Sequence, residues 1–194
     1  MKQEPNPLEL FREWYARAGR TGIDKPHAMA LSTTGQDGRP SSRMVLMSSF
    51  DERGFVFHTN GESRKALDMA HQPWVALLFW WDELGYQVRI EGRAERTLPA
   101  EADTYFMQRP RGSQLSAWVS EQSRVVAGRE VLEQRMQAFT AKYAGVEVPR
   151  PPHWGGYRVC PQVFEFWQEG GDRLHERIRF RRGEGRWVRE YLAP

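Results

Sequence analysis

The first residues suited to phosphate chemistry lie in the segment NGESRKAL, where Ser63, Arg64 and Lys65 follow a predicted strand and open a predicted helix. Free backbone N–H groups, the positive end of a helix dipole, a hydroxyl and two cations would converge there, which suits a phosphate monoester. The alternative is that Ser63 only caps the helix and that both cations are solvated. Taken alone, the segment favours that alternative.

A second basic cluster lies in the segment YFMQRPRGSQ. Tyr105 and Arg109 are four residues apart, so a helix would place them on one face, and Ser113 begins the next helical stretch. A phenol, a guanidinium and a hydroxyl could therefore point at one anion. The alternative, an ion pair between Arg109 and a neighbouring acid, is favoured when the segment is taken in isolation.

A third cluster lies in the segment GGDRLHERIRF. Strand alternation predicts that Arg173, His175 and Arg177 share one side of a strand. Burying two arginines and a histidine on one strand face is costly without an anionic partner. The three clusters together indicate a phosphorylated cofactor and a phosphorylated or carboxylated substrate.

The composition excludes several other classes of protein. The 194 residues are 40% hydrophobic and 12% aromatic, which predicts one globular domain over residues 1–194 rather than a repeat array or a disordered chain. Cys160 is the only cysteine, so an intrachain disulfide and a cysteine-rich zinc site are excluded. The five histidines lack metal-ligand spacing, and no Gly-rich phosphate loop is present. We therefore expect no bound metal and no dinucleotide-binding site of the Gly-rich kind.

The net charge and the hydropathy of the sequence limit the kinds of partner that the protein could bind. The formal net charge of +3 could suit nucleic acid, a small polyanion or a solvated surface. Arginine gathers in a few segments, and its rigid guanidinium suits phosphates and carboxylates. No signal peptide and no membrane-spanning segment is legible in the sequence. We therefore expect a cytoplasmic protein without a nucleic-acid or membrane partner.

The elements that must position these clusters follow from the hydrophobic periodicity. Asn6 is expected to cap a first helix that begins with Pro7. Strands are predicted at 28–34, 41–50, 54–60, 74–81, 86–97, 157–168, 173–182 and 186–192, and further helices at 63–72, 99–107, 113–119 and 129–143. Short returns imply antiparallel pairing. The pattern predicts an α+β fold, a mostly antiparallel sheet closed into a barrel, with a helical insertion at about 99–144.

Eight short motifs, in one order over nearly the whole chain, carry a family resemblance. They are SRMVLM, GFVFHTN, SRKA, YQVRIEG, RPRGSQLSAWVSEQS, WGGYRV, EFWQ and RLHERIRF. The series resembles the pyridoxine/pyridoxamine 5'-phosphate oxidases. The resemblance implies a homodimer of split β-barrels with FMN at the subunit interface. It also implies oxidation of C4' of pyridoxamine or pyridoxine phosphate to pyridoxal phosphate, with O2 reduced to H2O2.

The resemblance assigns site residues motif by motif. The implied FMN contacts are Arg43, Met44, Val45, Leu46, Ser48, His58, Thr59, Arg64, Lys65, Gln87, Gln122, Ser123, Trp167 and Arg177. The implied substrate contacts are Ser48, Tyr105, Arg109, Ser113, Arg173 and His175. Arg173 and His175 are the implied catalytic residues. They would orient the pyridine ring and manage charge during oxidation, with His175 as candidate proton acceptor.

Two departures from the family pattern leave the substrate open. Ser48 stands where the family usually has a lysine that helps to neutralise the substrate phosphate. The family also often carries an N-terminal segment with Arg and Tyr that covers the substrate, whereas the sequence here starts almost at the predicted first helix. Both features are shared with the flavin oxidases of phenazine biosynthesis, which form the first alternative. The motif RPRGSQ is intact, which favours the phosphorylated substrate. The second alternative is a non-catalytic flavin-binding protein on the same scaffold.

Overall fold

The structure, a computed structural model, describes residues 6–194. Its strands are Ala28–Thr34 (β1), Pro40–Asp51 (β2), Gly54–Asn60 (β3), Trp74–Trp81 (β4), Tyr86–Arg96 (β5), Trp154–Gln168 (β6), Glu176–Arg182 (β7) and Trp187–Tyr191 (β8). Its helices are Pro7–Ala18 (α1), Arg64–His71 (α2), Pro99–Gln108 (α3), Arg111–Val119 (α4) and Arg129–Lys142 (α5). Within residues 6–194 no helix is long and apolar enough to cross a membrane.

The sheet closes on itself. Its strand order is β3-β2-β1-β4-β5-β6-β7-β8, and β3 also pairs with β6. All of these pairings are antiparallel, so β1 to β6 form a closed six-stranded barrel, while β7 and β8 extend the sheet beyond β6. Closure pairs β3 with β6 and so leaves no open end in the six-stranded barrel, while β8 remains an edge strand of the extended sheet. The predicted α+β barrel is confirmed.

The barrel core is formed by the inward-facing residues of the strands. Leu31, Leu77 and Ile90 are fully buried, as alternation along half-buried strands requires. Helix α1 adds Phe11, whose ring lies 4.8 Å from that of Phe55 between ring centroids. The helix begins as predicted, with the Asn6 side chain accepting a hydrogen bond from the backbone N–H of Leu8.

Helices α3, α4 and α5 form the insertion between β5 and β6. They share a second, smaller hydrophobic cluster in which Phe106, Leu115, Tyr143 and Trp154 are buried. Because Trp154 begins β6, this cluster attaches the insertion to the barrel. The insertion therefore carries the second basic cluster to the outside of β3 and β6.

The third basic cluster departs from its predicted strand. β7 begins only at Glu176, and residues 171–173 form a 3-10 turn in which Asp172 and Arg173 have positive φ. A Cβ on Gly170 would lie 2.2 Å from the carbonyl oxygen of Leu174, so the chain folds back sharply here. The predicted shared strand face of Arg173, His175 and Arg177 is therefore wrong.

Candidate active site

A cavity of 770 Å³ lies between the barrel wall and the helical insertion. This volume is within the range of about 300–1,000 Å³ typical of small-molecule sites. Ten of the residues that the sequence singled out line it: Met44, Val45, Leu46, His58, Thr59, Lys65, Tyr105, Arg109, Ser113 and Gln122. Lys65 of the first basic cluster and all three residues of the second, about 40 residues apart in the chain, thus meet in one cavity.

Lys65 forms one end of the cavity. The residue is only 8% exposed, and its Nζ donates to Thr59 Oγ1 at 3.1 Å, Ser63 Oγ at 3.3 Å and Gln122 Oε1 at 2.7 Å. All three acceptors are neutral. Burial, with a smaller contribution from the charge of Arg43, lowers the pKa of Lys65 to about 8. A buried ammonium without a counterion among the described residues is suited to an anionic ligand.

Ser63 does not cap helix α2. Its Oγ donates to the carbonyl oxygen of Asn60 at 2.7 Å and makes no capping hydrogen bond. Instead the backbone N–H of Arg64 donates to Ser123 Oγ at 3.2 Å. The alternative of a capping serine with two solvated cations is therefore wrong for Ser63 and Lys65, whereas Arg64 is exposed. Ser123 Oγ and Gln122 Oε1 thus occupy acceptor positions, beside the Arg64 N–H group and the Lys65 ammonium, that phosphate oxygens could take.

Arg109 forms the other cationic part of the cavity. Its guanidinium carbon lies 4.7 Å from the centre of the Trp154 ring, and its buried Nη1 has no hydrogen-bond partner among the described residues. Burial lowers the pKa of Arg109. No acidic side chain of residues 6–194 pairs with it, so the predicted alternative of an ion pair is not found. Tyr105 and Ser113 line the same cavity.

The backbone that brings Tyr105 and Arg109 to the cavity differs from the predicted single helix. Helix α3 ends at Gln108, and Arg109 has an extended conformation with φ −71 and ψ 145. A residue before proline is disfavoured in the helical region, and Pro110 follows. Tyr105 and Arg109 therefore share the cavity without sharing a helix face.

His58 lies in the wall between this cavity and a smaller one of 370 Å³. Its ring stacks on Tyr105 with 4.0 Å between centroids and on Trp154 with 5.1 Å. Burial and the charge of Arg109 lower the pKa of His58 to about 4, so the ring is neutral near pH 7. A Cβ on Gly156 would lie 3.0 Å from Nε2, so the glycine leaves space for the imidazole.

Arg43 and Ser48 lie outside the large cavity. Arg43 donates to Thr33 Oγ1 at 2.6 Å and to Ser41 Oγ at 2.8 Å, and its Nη2 lies 3.7 Å from a carboxylate oxygen of Asp68. Ser48 lines the smaller cavity, and its Oγ donates to the carbonyl oxygen of Val56 at 3.1 Å.

The remaining predicted residues form a separate group on β5, β6 and β7. Gln87 pairs with Trp167, and Trp167 pairs with Arg177, so the three make one row across the sheet. The His175 ring lies 4.5 Å from the Trp167 ring, whereas Arg173 is exposed on the turn. None of these five residues lines the large cavity. These five residues thus form a group separate from the large cavity, called the second half-site below.

The donor set of the large cavity fits a phosphorylated flavin. Lys65, Thr59 and the start of helix α2 offer a cation, a hydroxyl and an N–H group, as a phosphate requires. Met44 and Leu46 line the same cavity and are 64% and 49% exposed, so they offer apolar surface to a flat ring. No cluster of three metal-ligating side chains occurs in the part of the chain that the structure describes.

Sequence reasoning missed several lining residues, namely Asn60, Gln108, Pro110, Ser116, Ala117, Ser120 and Trp154. Trp154 was signalled by its place before two glycines in the motif WGGYRV, where an aromatic ring has room to stack. The small residues of helix α4 carried no signal of their own. They line the cavity because helix α4 turns one face toward it.

The closed six-stranded barrel, with two added strands and a helical insertion, defines the fold class of the split β-barrels. Residues 16–143 match the family model of pyridoxamine 5'-phosphate oxidase. Residues 154–194 match that of the pyridoxine 5'-phosphate oxidase C-terminal dimerisation region. The chain therefore belongs to the pyridoxine/pyridoxamine 5'-phosphate oxidase family.

Two relatives illustrate this membership. A pyridoxine/pyridoxamine 5'-phosphate oxidase of Gloeothece citriformis is 52% identical over 191 residues, covering 98% of this chain and 89% of the relative. One of Acaryochloris marina is 49% identical over 189 residues, covering 97% and 86%. The likeness extends over nearly the whole of both chains.

Solved structures give the same fold. PhzG from Burkholderia lata 383, solved with tetrahydrophenazine-1-carboxylic acid, superposes with a TM-score of 0.94 at 35% identity, covering 100% of this chain and 95% of that one. A pyridoxamine 5'-phosphate oxidase-related, FMN-binding protein from Nostoc punctiforme superposes with a TM-score of 0.77 at 16% identity, covering 99% and 100%. The second likeness shows the fold alone.

Proposed function

We propose that this chain is an FMN-dependent oxidase that converts pyridoxamine or pyridoxine 5'-phosphate to pyridoxal 5'-phosphate, with O2 reduced to H2O2. The observation that carries the proposal is the single cavity with two cationic groups, Lys65 and Arg109, that lack acidic partners among the described residues. Two such groups suit two phosphates, one on the cofactor and one on the substrate. Relatives about half identical to the chain carry this activity in their names.

The cofactor phosphate is proposed to bind where Lys65, Thr59, Arg64 and Ser123 converge. To admit it, Gln122 Oε1 must leave the ammonium it now accepts from. When bound, FMN would take up the hydride equivalents of the substrate and pass the electrons to O2. The remaining predicted FMN contacts on this side are Arg43, Met44, Val45, Leu46, Ser48 and His58.

The substrate phosphate is proposed to bind Arg109, with Tyr105 and Ser113 as hydroxyl partners. The free Nη1 of Arg109 is buried and lies against the Trp154 ring, so an anion there would bind in a partly desolvated place. His58 would remain neutral and add no competing charge. The chain's own role is to hold and orient the substrate and to exclude water from the reacting carbon.

The second half-site is proposed to complete the cavity of a second copy of the chain. Gln87, Trp167 and Arg177 would add flavin contacts, and Arg173 and His175 would add substrate contacts. Three features support a homodimer: the match to a dimerisation region at 154–194, the two separate half-sites, and the exposed apolar wall of the cavity. Within each copy, we infer that residues 1–194 form one domain with the helices as an insertion.

The second candidate function is oxidation of a phenazine precursor. The superposition on PhzG favours it, as does Ser48 in the position of the family lysine. The free guanidinium of Arg109 favours the phosphorylated substrate, as does the higher identity to the phosphate oxidases. We therefore place the phenazine activity second.

Two experiments test the proposal. Denaturation of purified protein should release FMN rather than FAD, identified by chromatography against both standards, because the cavity offers one cofactor-phosphate site. Colourless protein that cannot be reconstituted with FMN would overturn the proposal. Aerobic turnover should then be measured with pyridoxamine phosphate, pyridoxine phosphate and tetrahydrophenazine-1-carboxylic acid side by side. Turnover of the phenazine compound alone would favour the second candidate.

A further inference from the structure

A buried carboxylate lies beside the second half-site, and no role has been given to it above. Glu165 is 2% exposed and projects from β6 on the side opposite to the core residues Phe164 and Phe166. Its direct neighbours across the sheet are Arg89 on β5 and Arg179 on β7. The row Arg89, Glu165, Arg179 thus runs next to the row Gln87, Trp167, Arg177.

The carboxylate binds the arginine of the neighbouring row. Arg177 donates to Glu165 Oε1 from Nε at 2.9 Å and from Nη2 at 2.6 Å, and Arg89 Nη2 donates to Oε2 at 2.6 Å. Both oxygens of a nearly inaccessible carboxylate are therefore engaged by guanidinium groups. Charge-assisted hydrogen bonds of this kind fix geometry as well as adding energy.

Arg177 is held on a second side by the end of the chain. Its Nη1 donates to the carbonyl oxygen of Ala193 at 2.8 Å. A guanidinium has five N–H groups. Three of them have acceptors within residues 6–194, which leaves two for a further acceptor. Because Arg177 shares its row with Trp167 and Gln87, those two N–H groups are available to the ligand of the proposed second half-site.

We propose that Glu165 is a positioning residue that fixes the guanidinium of Arg177 for contact with the cofactor. The inference rests on the proposed function, since it takes FMN as the ligand of that half-site. Glu165 is nearly inaccessible and both its oxygens are engaged by arginines, so its proposed action is through Arg177 rather than on the cofactor. It acts by holding a long, flexible side chain in one orientation before the ligand arrives, which reduces the ordering cost of binding.

The test compares two carboxylates that each bind two arginines. Glu165→Gln keeps the side-chain shape but removes the charge and places an amide N–H group against a guanidinium. Glu190→Gln is the matched control, because Glu190 accepts from Arg179 and Arg181 at 2.8 and 2.9 Å but does not contact Arg177. The FMN dissociation constant of each apoprotein should be measured by quenching of flavin fluorescence.

We expect Glu165→Gln to raise the FMN dissociation constant about tenfold, the lower end of what losing an orienting partner causes at metal sites. Glu190→Gln should leave it unchanged. Combining Glu165→Gln with Arg177→Gln should weaken FMN binding no further than Arg177→Gln alone, because both act through one guanidinium. A merely structural role would lower the unfolding temperature without this non-additivity.

The FMN affinities of the wild-type chain and of Glu165→Gln distinguish failure of this inference from failure of the proposed function. A wild-type chain that binds FMN beside a folded Glu165→Gln variant of unchanged affinity would overturn this inference alone. A wild-type chain that binds no FMN would overturn the proposed function and this inference with it. If Glu165→Gln does not fold, Glu165→Gln combined with Arg89→Gln replaces it, because the second change removes one of the two guanidinium groups that face the lost carboxylate, and Arg89 is the one that also pairs with Glu91.

Discussion

Replacing Lys65 with methionine separates ligand binding from stability. The side chain keeps a similar length and loses its charge, while Thr59, Ser63 and Gln122 lose a donor. The ammonium is buried among neutral oxygens, which is why its pKa falls to about 8. Removing it therefore costs three hydrogen bonds but relieves an uncompensated buried charge. These two effects oppose each other in the apoprotein.

In the FMN complex the phosphate would balance the charge of Lys65, so replacing the lysine only removes a favourable contact. A hydrogen bond to a charged partner contributes about 1.5–3 kcal/mol, so the FMN dissociation constant should rise about 10- to 150-fold. The free energy of unfolding of the apoprotein should change by less than about 1 kcal/mol, which is about 2–4 °C in unfolding temperature for a chain of this size. A residue that served only the fold would show the reverse pattern.

The assay is titration of apoprotein with FMN, followed by flavin fluorescence, beside thermal unfolding of the same samples. Lys25→Met is the control, because Lys25 is exposed and lies 3.5 Å from Asp24. Its FMN affinity should equal that of the wild type. An FMN dissociation constant for Lys65→Met within twofold of the wild-type value would refute the reasoning and place the phosphate elsewhere.

Further predictions concern the substrate end, pH, the family departure and the first helix. Arg109→Met should raise KM for both phosphorylated substrates about tenfold or more in steady-state assays, since it removes a charge-assisted contact. FMN affinity should fall as pH rises above about 8, because the free Lys65 then loses the proton that the phosphate requires, and Lys65→Arg should abolish this dependence between about pH 7 and 9.5. Ser48→Lys should lower KM for the phosphorylated substrates several-fold, whereas with a phenazine substrate the longer side chain should obstruct binding. Asn6→Ala should reduce the free energy of unfolding by about 1 kcal/mol in denaturant titration, because the helix loses its capping acceptor.

The strands could be predicted from the sequence because turn residues mark the ends of their hydrophobic patterns. Three predicted strands, at 28–34, 54–60 and 74–81, coincide with β1, β3 and β4. The turn that begins at Gly170 was harder to predict from the sequence. The segment after it alternates like a strand, and the turn that precedes β7 shows only in the structure, in the positive φ of Asp172 and Arg173 and the close approach of Gly170 to Leu174.

Part of the candidate site could be predicted from the sequence. Residues near one another in sequence, such as Ser63 and Lys65, could be grouped from their motif. The division into two half-sites could not, because it depends on which face of the barrel each strand presents. Ser48 shows a further limit. The pairing register of β2 with β3 shifts between Met47 and Ser49, so a simple period of two does not give the direction of Ser48.

The oxidase proposal is tested most directly by the stoichiometry of a single aerobic reaction. Protein loaded with FMN is mixed with pyridoxamine 5'-phosphate while O2, H2O2, ammonia and pyridoxal 5'-phosphate are all measured. The account predicts equal amounts of O2 consumed and of the three products formed, with ammonia absent when pyridoxine 5'-phosphate replaces the amine. Protein that binds FMN but neither consumes O2 nor forms the aldehyde with either substrate would contradict it.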